Sequence, residues 1–537
     1  MPSSNPMSNL MTQESGMRSS ADDTHWAVSE FADAELGDVR RTTRLIELAG
    51  VLAQHPTAAL PEACGDDAML KAAYRFFAND AIEPHDVLDS HIEATYRRLH
   101  HVPVVLAVQD TTEVDWTSHP ATRGLGPLGP RACQGLLVHS TLAFTPERLP
   151  LGLLAQQVWA RDPADVGKRT RRKQLPISQK ESQKWLLSLA AVCGAQDGCP
   201  QSRFVSIGDR EADVYDLLAA ARPAGVELLI RAAWDRCVQA PERHVWATVE
   251  AHPVVEHLRL QVPRRGLQPG RDATLALRLC PLTLRPPQHR KAEGLPAVAL
   301  WAVQVQEVEP PAGVEPIEWL LLTTVAVQTV ADALERVEWY ACRWGIEVWH
   351  RILKSGCRIE ARQLATAERL QRCLTLYSVI AWRVFYATML ARAVPEMPCS
   401  VLLEIEEWQA LYCVIHHCPT PPDEPPTLGE AVRWIAQLGG FVGRRRRDQP
   451  GTETLWRGFQ HLSDLTRMFC IMRRAPPYTK RWVHLAARDQ GPPGGAHGRS
   501  NDPITSPFHG MRCPPVCPLF HIPSNLVVVG LRPCLWS

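Results

Sequence analysis

At 537 residues and 59.9 kDa the chain exceeds one ordinary domain and predicts three or four. Its 45% hydrophobic content can build sizeable cores, and 21% charged residues of nearly balanced sign exclude charge-driven disorder. A net charge of +1 leaves no global polyanion signal, so any nucleic-acid surface has to be local.

Residues 1–23 are polar, lack the apolar core of a secretory signal, and read as a disordered leader. Residues 24–100 read as a helical domain. Phe31, Ala34, Leu36, Leu45, Leu48, Ala49 and Leu52 fall at mostly helical spacings, interrupted near Gly37, and a second helical run covers 67–79. Arg40, Arg41 and Arg44 lie beside the break, either as a binding face or as a solvated one. The pattern then changes: β-rich runs over 103–109, 136–144, 153–158, 203–208 and 226–231 are interspersed with helices near 179–191 and 209–221. This alternation predicts a multidomain α/β protein with a partly parallel sheet. From 234 to 314 a period of two takes over, as in Leu258, Leu260 and Val262, and predicts an antiparallel β insertion. A further strand over 319–324 leads into one long helix over 330–354, and helices follow over 367–393, 401–416 and 428–438. The apolar stretch 374–390 carries Arg383 at its middle and does not read as a membrane span. Residues 474–537, rich in Pro, Gly and Cys, read as a poorly ordered tail. Its Cys513, Cys517 and His521 lack a nearby fourth ligand for zinc. The scattered cysteines fit reduced thiols and a cytoplasmic setting.

Asp110 and Asp209 each stand at the end of a predicted strand, where carboxylates can converge on a divalent cation or simply cap a turn. On the predicted helix over 330–354, Tyr340, Arg343, Glu347 and Lys354 share one face within about 60° of arc. One carboxylate among two cations and a phenol suits a surface that holds a metal and grips phosphates, or else a salt-bridged exposed face.

These motifs resemble those of the cut-and-paste DDE transposases of bacterial insertion sequences, in the insertion-sequence-four branch that contains the transposase of transposon five. Tyr340, Arg343, Glu347 and Lys354 match the branch's Y-R-E-K signature. Gln109, Asp110, Thr111 and Thr112 match its first acidic motif, and the run from Gly208 to Asp213 its second. Glu35 to Arg41, Lys71 to Phe76, Lys180 to Trp185, Trp319 to Thr323 and Leu438 to Gly440 extend the likeness over roughly 24–472. The resemblance implies a ribonuclease-H-like core over 101–233 and 315–395, interrupted by the β insertion at 234–314. An N-terminal transposon-end-binding domain (24–100) and a C-terminal helical dimerisation domain (396–473) would flank it.

It further implies catalysis by Asp110, Asp209 and Glu347 holding two Mg²⁺ ions, with Mn²⁺ able to substitute. Nicking, hairpin formation, hairpin opening and strand transfer would follow at one site. Tyr340, Arg343, Lys354 and Arg231 would contact phosphates near the cleavage point, and Trp319 and Trp344 would stack a flipped base. Arg40, Arg41 and Arg44 would recognise the terminal inverted repeat. The basic runs at 167–173 and 444–447 are further DNA-contact candidates. The implied partners are double-stranded DNA, both transposon ends and target, and a second copy of the chain, with no membrane. The implied setting is the bacterial cytoplasm, at the nucleoid. The alternatives are a catalytically silent DNA-binding regulator and a plain metal-dependent nuclease.

Overall fold

The computed structural model describes residues 26–129, 133–165, 175–262, 264, 270–443 and 449–474. The expected leader, the basic runs at 167–173 and 444–447, and the tail with Cys513, Cys517 and His521 lie outside the described residues.

The N-terminal unit consists of α1 (Trp26–Phe31), α2 (Val39–Gln54), α3 (Leu60–Cys64), α4 (Asp67–Phe77) and α5 (Pro84–Leu99). Its helix starts are written locally: the Asp38 carboxylate accepts the Arg40 N–H at 2.9 Å, Asp66 accepts that of Met69 at 2.8 Å, and Pro84 occupies the first turn of α5. Phe31, Leu45, Leu48, Leu52 and Phe77 are fully buried between them.

Next come β1 (Val104–Asp115), β2 (Gly126–Leu128), β3 (Cys133–Phe144), β4 (Pro150–Trp159), α6 (Gln183–Gly198), β5 (Arg203–Gly208), α7 (Tyr215–Ala219) and β6 (Val226–Arg231). Then follow α8 (Val245–Glu250), β7 (Glu256–Val262), β8 (Arg271–Leu284), β9 (Val298–Glu307) and β10 (Glu318–Thr323). These strands form one 10-stranded sheet ordered β2-β3-β1-β5-β6-β10-β9-β8-β7, with β4 also on the outer edge of β3. β1, β5 and β6 run parallel, and their neighbours are antiparallel. The period-two strands β7 to β9 do not fold away as a separate layer: β9 pairs with β10, so they continue the same sheet.

Both faces of the parallel centre are covered, which is why β5 and β6 read as apolar runs. Leu106, Val108, Val205, Ile207 and Leu229 face one core, while Val105, Ala107, Phe204, Leu228 and Ile230 face the other. The first core receives α9 (Val330–Ala341), α10 (Trp344–Arg351) and much of α11 (Ala367–Ala393). The chain ends in α12 (Ile405–Ile415), α13 (Leu428–Leu438) and α14 (Thr452–Arg474). α11 is long and apolar enough to cross a membrane by composition, but 83% of its most apolar stretch is buried within the protein. Inside it Arg383 stacks on Trp26, 4.8 Å from the ring centroid, a cation–π contact that offsets part of the cost of its burial.

Three expectations need correction. Asp110 does not end its strand: β1 runs on to Asp115 because β3 pairs with it through Gly135. The segment after Asp209 is a single 3₁₀ turn (Arg210–Ala212) and then the short α7, not one helix to 221. The helix over 330–354 is three pieces. At Cys342 and Arg343 the bonds tighten to the i−3 type (Arg343 N–H to Tyr340 O, 3.0 Å), and from Ile352 to Gly356 the coil widens into a π-turn. Tyr340, Arg343, Glu347 and Lys354 therefore do not lie along one straight face.

Candidate active site

Strand register brings the first acidic residues together. Val108 pairs with Ile207, and Asp110 and Asp209 each stand two residues further along their parallel strands. Ile230 pairs with Gly208, so Arg231 occupies the next place on that carboxyl edge. Asp110 shares the face of Leu106 and Val108, toward α10, because strand side chains alternate. It is 9% exposed.

The approach of α10 depends on Gly345. A Cβ there would lie 2.7 Å from the Phe144 ring at the end of β3, too close for any larger residue without displacement. Trp349, fully buried, donates its indole N–H to Ser378 O of α11 at 3.2 Å and fixes the rotation of α10. Glu347 and His350, three residues apart on that helix, then face Asp110. One donor atom from each of Asp110, Glu347 and His350 lies within 4.8 Å of the other two. Asp209 stands outside this tight group. Its carboxylate accepts the Glu211 N–H at 2.8 Å and still acts electrostatically on Asp110, Tyr340 and Arg343.

Arg343 lies between the carboxylates. Its guanidinium is 3.6 Å from Asp110 Oδ2 and 3.2 Å from Glu347 Oε1. Burial pushes the Asp110 carboxyl up to about 7; Arg343 opposes the shift, and Glu347 and Asp209 add to it. Burial likewise holds His350 down to about 3, so its ring is neutral. Crowded, mutually repelling carboxylates with a guanidinium wedged between two of them are a place that favours a cation. The donor set, rich in oxygen, fits a divalent ion.

The other predicted residues separate. Tyr340 is buried, edge-on to Trp319 at 4.8 Å between ring centroids, and burial raises its phenol. Arg231 sits 5.9 Å from the Trp319 ring, donates to Glu318 O at 2.8 Å and interacts with the Tyr340 hydroxyl. Trp319 is 6% exposed, its ring packed edge-on with Tyr340 and beside the Arg231 guanidinium. The first β10 residues point it inward against α9. Trp344 is half-buried. Lys354 lies in the π-turn, 3.9 Å from Glu360, and its charge helps hold the His350 ring neutral.

Sequence reading missed His350. The signal was present: Glu347 and His350 form a Glu-x-x-His pair, a spacing that presents two metal donors on one helical face.

At the N-terminus, Arg40 is exposed and held by Asp38 at 2.7 Å, Arg44 pairs with Glu47 at 2.6 Å, and Arg41 donates to Leu36 O at 2.8 Å. This region, residues 23–82, matches the family model for a transposase DNA-binding domain. Residues 379–475 match the model for the Tn5 transposase dimerisation domain. The two matches support a Tn5-type transposase. The DNA-binding match covers α1 to α4, and the dimerisation match begins inside α11 and takes in α12 to α14. The segment between the two matches carries the crowded carboxylates.

Proposed function

We propose that this transposase cleaves and rejoins DNA by a cut-and-paste route in which Asp110, Asp209 and Glu347 hold two divalent ions, Mg²⁺ with Mn²⁺ as a substitute. The observation that carries the reading is the convergence of Asp110 and Glu347 from distant parts of the chain, with Asp209 at the matching position on the next parallel strand. The β4-β3-β1-β5-β6 portion of the sheet supports a ribonuclease-H-like core, since its first three strands are antiparallel and its last two run parallel to β1. Bound ions, held by Asp110, Asp209 and Glu347, would supply activation of the attacking oxygen and stabilisation of the leaving oxygen.

The chain's own groups do the rest. Arg343, placed between Asp110 and Glu347, would offer a phosphate its planar fork, which can bind in two places. Arg231, pinned by Glu318 and Tyr340, presents a second cation on the same edge. Tyr340 keeps its proton and donates it as a hydrogen bond, consistent with its raised pKa. Lys354 contacts the backbone further along the duplex. Hairpin formation and strand transfer follow by repeated in-line attack at this one site, the hairpin step calling on Trp344 to stack an unpaired base, worth about 1–3 kcal/mol.

The test is Asp110→Asn, Asp209→Asn and Glu347→Gln on a transposon-end duplex. Each is expected to lose nicking and retain end binding. Asp110→Asn is also expected to melt no lower than the parent, because it removes a buried repulsion. Equal loss of binding in all three, or undiminished nicking, would overturn the assignment. A wild-type protein that binds ends without cutting would mark a regulator, and nicking without hairpins or joining would mark a plain nuclease.

A further inference from the structure

We propose that His350 is a third donor, with Asp110 and Glu347, to one divalent cation, so that this end of the site offers one imidazole nitrogen and two carboxylate groups. The inference deepens the metal-dependent reading above and rests on it.

His350 is 5% exposed, yet its Nε2 has no hydrogen-bond partner and its Nδ1 approaches Asp110 Oδ2 only to 3.8 Å. That is too long for a hydrogen bond. In the neutral ring one nitrogen is protonated and the other carries a lone pair; with the proton on Nε2, Nδ1 turns its lone pair toward Asp110, a contact that a cation between them would make favourable. Donor atoms on one first-row or alkaline-earth ion, each about 2.0–2.2 Å from it, stand roughly 3–4 Å apart. The 3.8 Å separation of Nδ1 from Asp110 Oδ2 falls inside that range.

The geometry is also braced. His350 follows Glu347 by three residues on α10, whose rotation is fixed by the Trp349 bond to Ser378 and whose approach to β3 is set by Gly345. The His350 ring packs against that of Trp349 at 5.1 Å. Arg343 bridges Asp110 and Glu347 alone, leaving the His350 side of the group to another electrophile. A nitrogen donor would shift preference from Mg²⁺ toward Mn²⁺ and other ions that accept imidazole.

The experiment uses the full-length protein loaded with Mn²⁺ alone and reads electron spin echo envelope modulation. Wild type is expected to show coupling to a directly bound ¹⁴N. Histidine labelling with ¹⁵N should replace that pattern without any substitution that could disturb folding. His350→Gln, checked by its melting curve, should lose the coupling while Mn²⁺ still binds. Mn²⁺ bound at a site that Asp110→Asn weakens, but with no nitrogen coupling, would overturn the role of His350 and leave the carboxylate site standing. Coupling that persists in His350→Gln would overturn it equally. Failure to find any Mn²⁺ binding sensitive to Asp110→Asn or Glu347→Gln would remove the carboxylate site and this inference with it.

Discussion

Arg40 and Arg41 are neighbours of the same type with opposite surroundings. Arg40 has 88% of its side chain exposed and only the half-buried Asp38 to hold it, so it is free to exchange that partner for a phosphate. Arg41 instead donates to the Leu36 carbonyl and braces the turn before α2. Arg40→Ala is therefore expected to leave the melting temperature unchanged and to reduce the salt slope of end binding by about one unit. Arg41→Ala is expected to lower stability by about 1 kcal/mol. Parallel binding titrations at several salt concentrations and thermal melts check both. The reverse pattern would exchange their roles. Sequence alone presented these residues, with Arg44, as one basic set. It could not separate them, because the difference lies in which carbonyls and carboxylates the fold puts beside each guanidinium.

At the scale of elements, α10 decides the site. Its sequence announces a helix, but not that it breaks from α9 at Cys342 or widens at Ile352. Those irregularities follow from packing against β1 and β3 and carry no periodicity signal. Gly345→Ala is expected to cost about 1–3 kcal/mol through its contact with Phe144, and to reduce nicking by shifting Glu347 and His350 together. Gly194→Ala, in α6 where an added Cβ meets nothing within 4 Å, is the control and is expected to stabilise by about 0.5–1 kcal/mol. Melting curves and nicking assays on the two variants separate close packing from general helix propensity.

At the scale of the molecule, a buried polar network joins the N-terminal unit to the sheet. Glu30 of α1 receives Arg98 at 2.6 Å and His91 Nδ1 at 2.6 Å, both from α5. The Leu153 N–H of β4 donates to His91 Nε2 at 3.1 Å, so the His91 proton sits on Nδ1 and points at Glu30. Gly152 allows the close approach, since a Cβ there would fall 2.0 Å from Thr95 Oγ1 of α5. Burial raises Glu30, but Arg98 and His91 outweigh it and hold the carboxyl down at about 2 against an ordinary 4.5. Its contribution, about 3 kcal/mol, is thus whole above pH 4.5 and lost as pH falls toward 2. His91 is lowered chiefly by burial, so the unfolded chain takes up its proton first and stability begins to fall below about 6.5. Melting temperature should decline gently below that pH and steeply below 4.5. Glu30→Gln should lose about 3–5 kcal/mol at neutral pH and flatten the steep part. An unchanged acid limb in the variant would place the sensitivity elsewhere. In the region matched to the dimerisation model, α14 exposes Met468, Ile471 and Met472, each more than half accessible. Met468→Glu combined with Met472→Glu is expected to shift sedimentation toward monomer without changing the melting curve.

Local sequence was enough for the alternation of strands and helices and for the acidic and Y-R-E-K motifs, because periodicity and spacing are short-range properties. Tertiary structure alone decided that β7 to β9 extend one sheet, that Trp319 is a core ring, that Arg343 fills the gap between Asp110 and Glu347, and that His350 stands beside them. Each of these depends on contacts between residues far apart in the chain, where register and helix packing set positions to within an ångström and no local pattern records them.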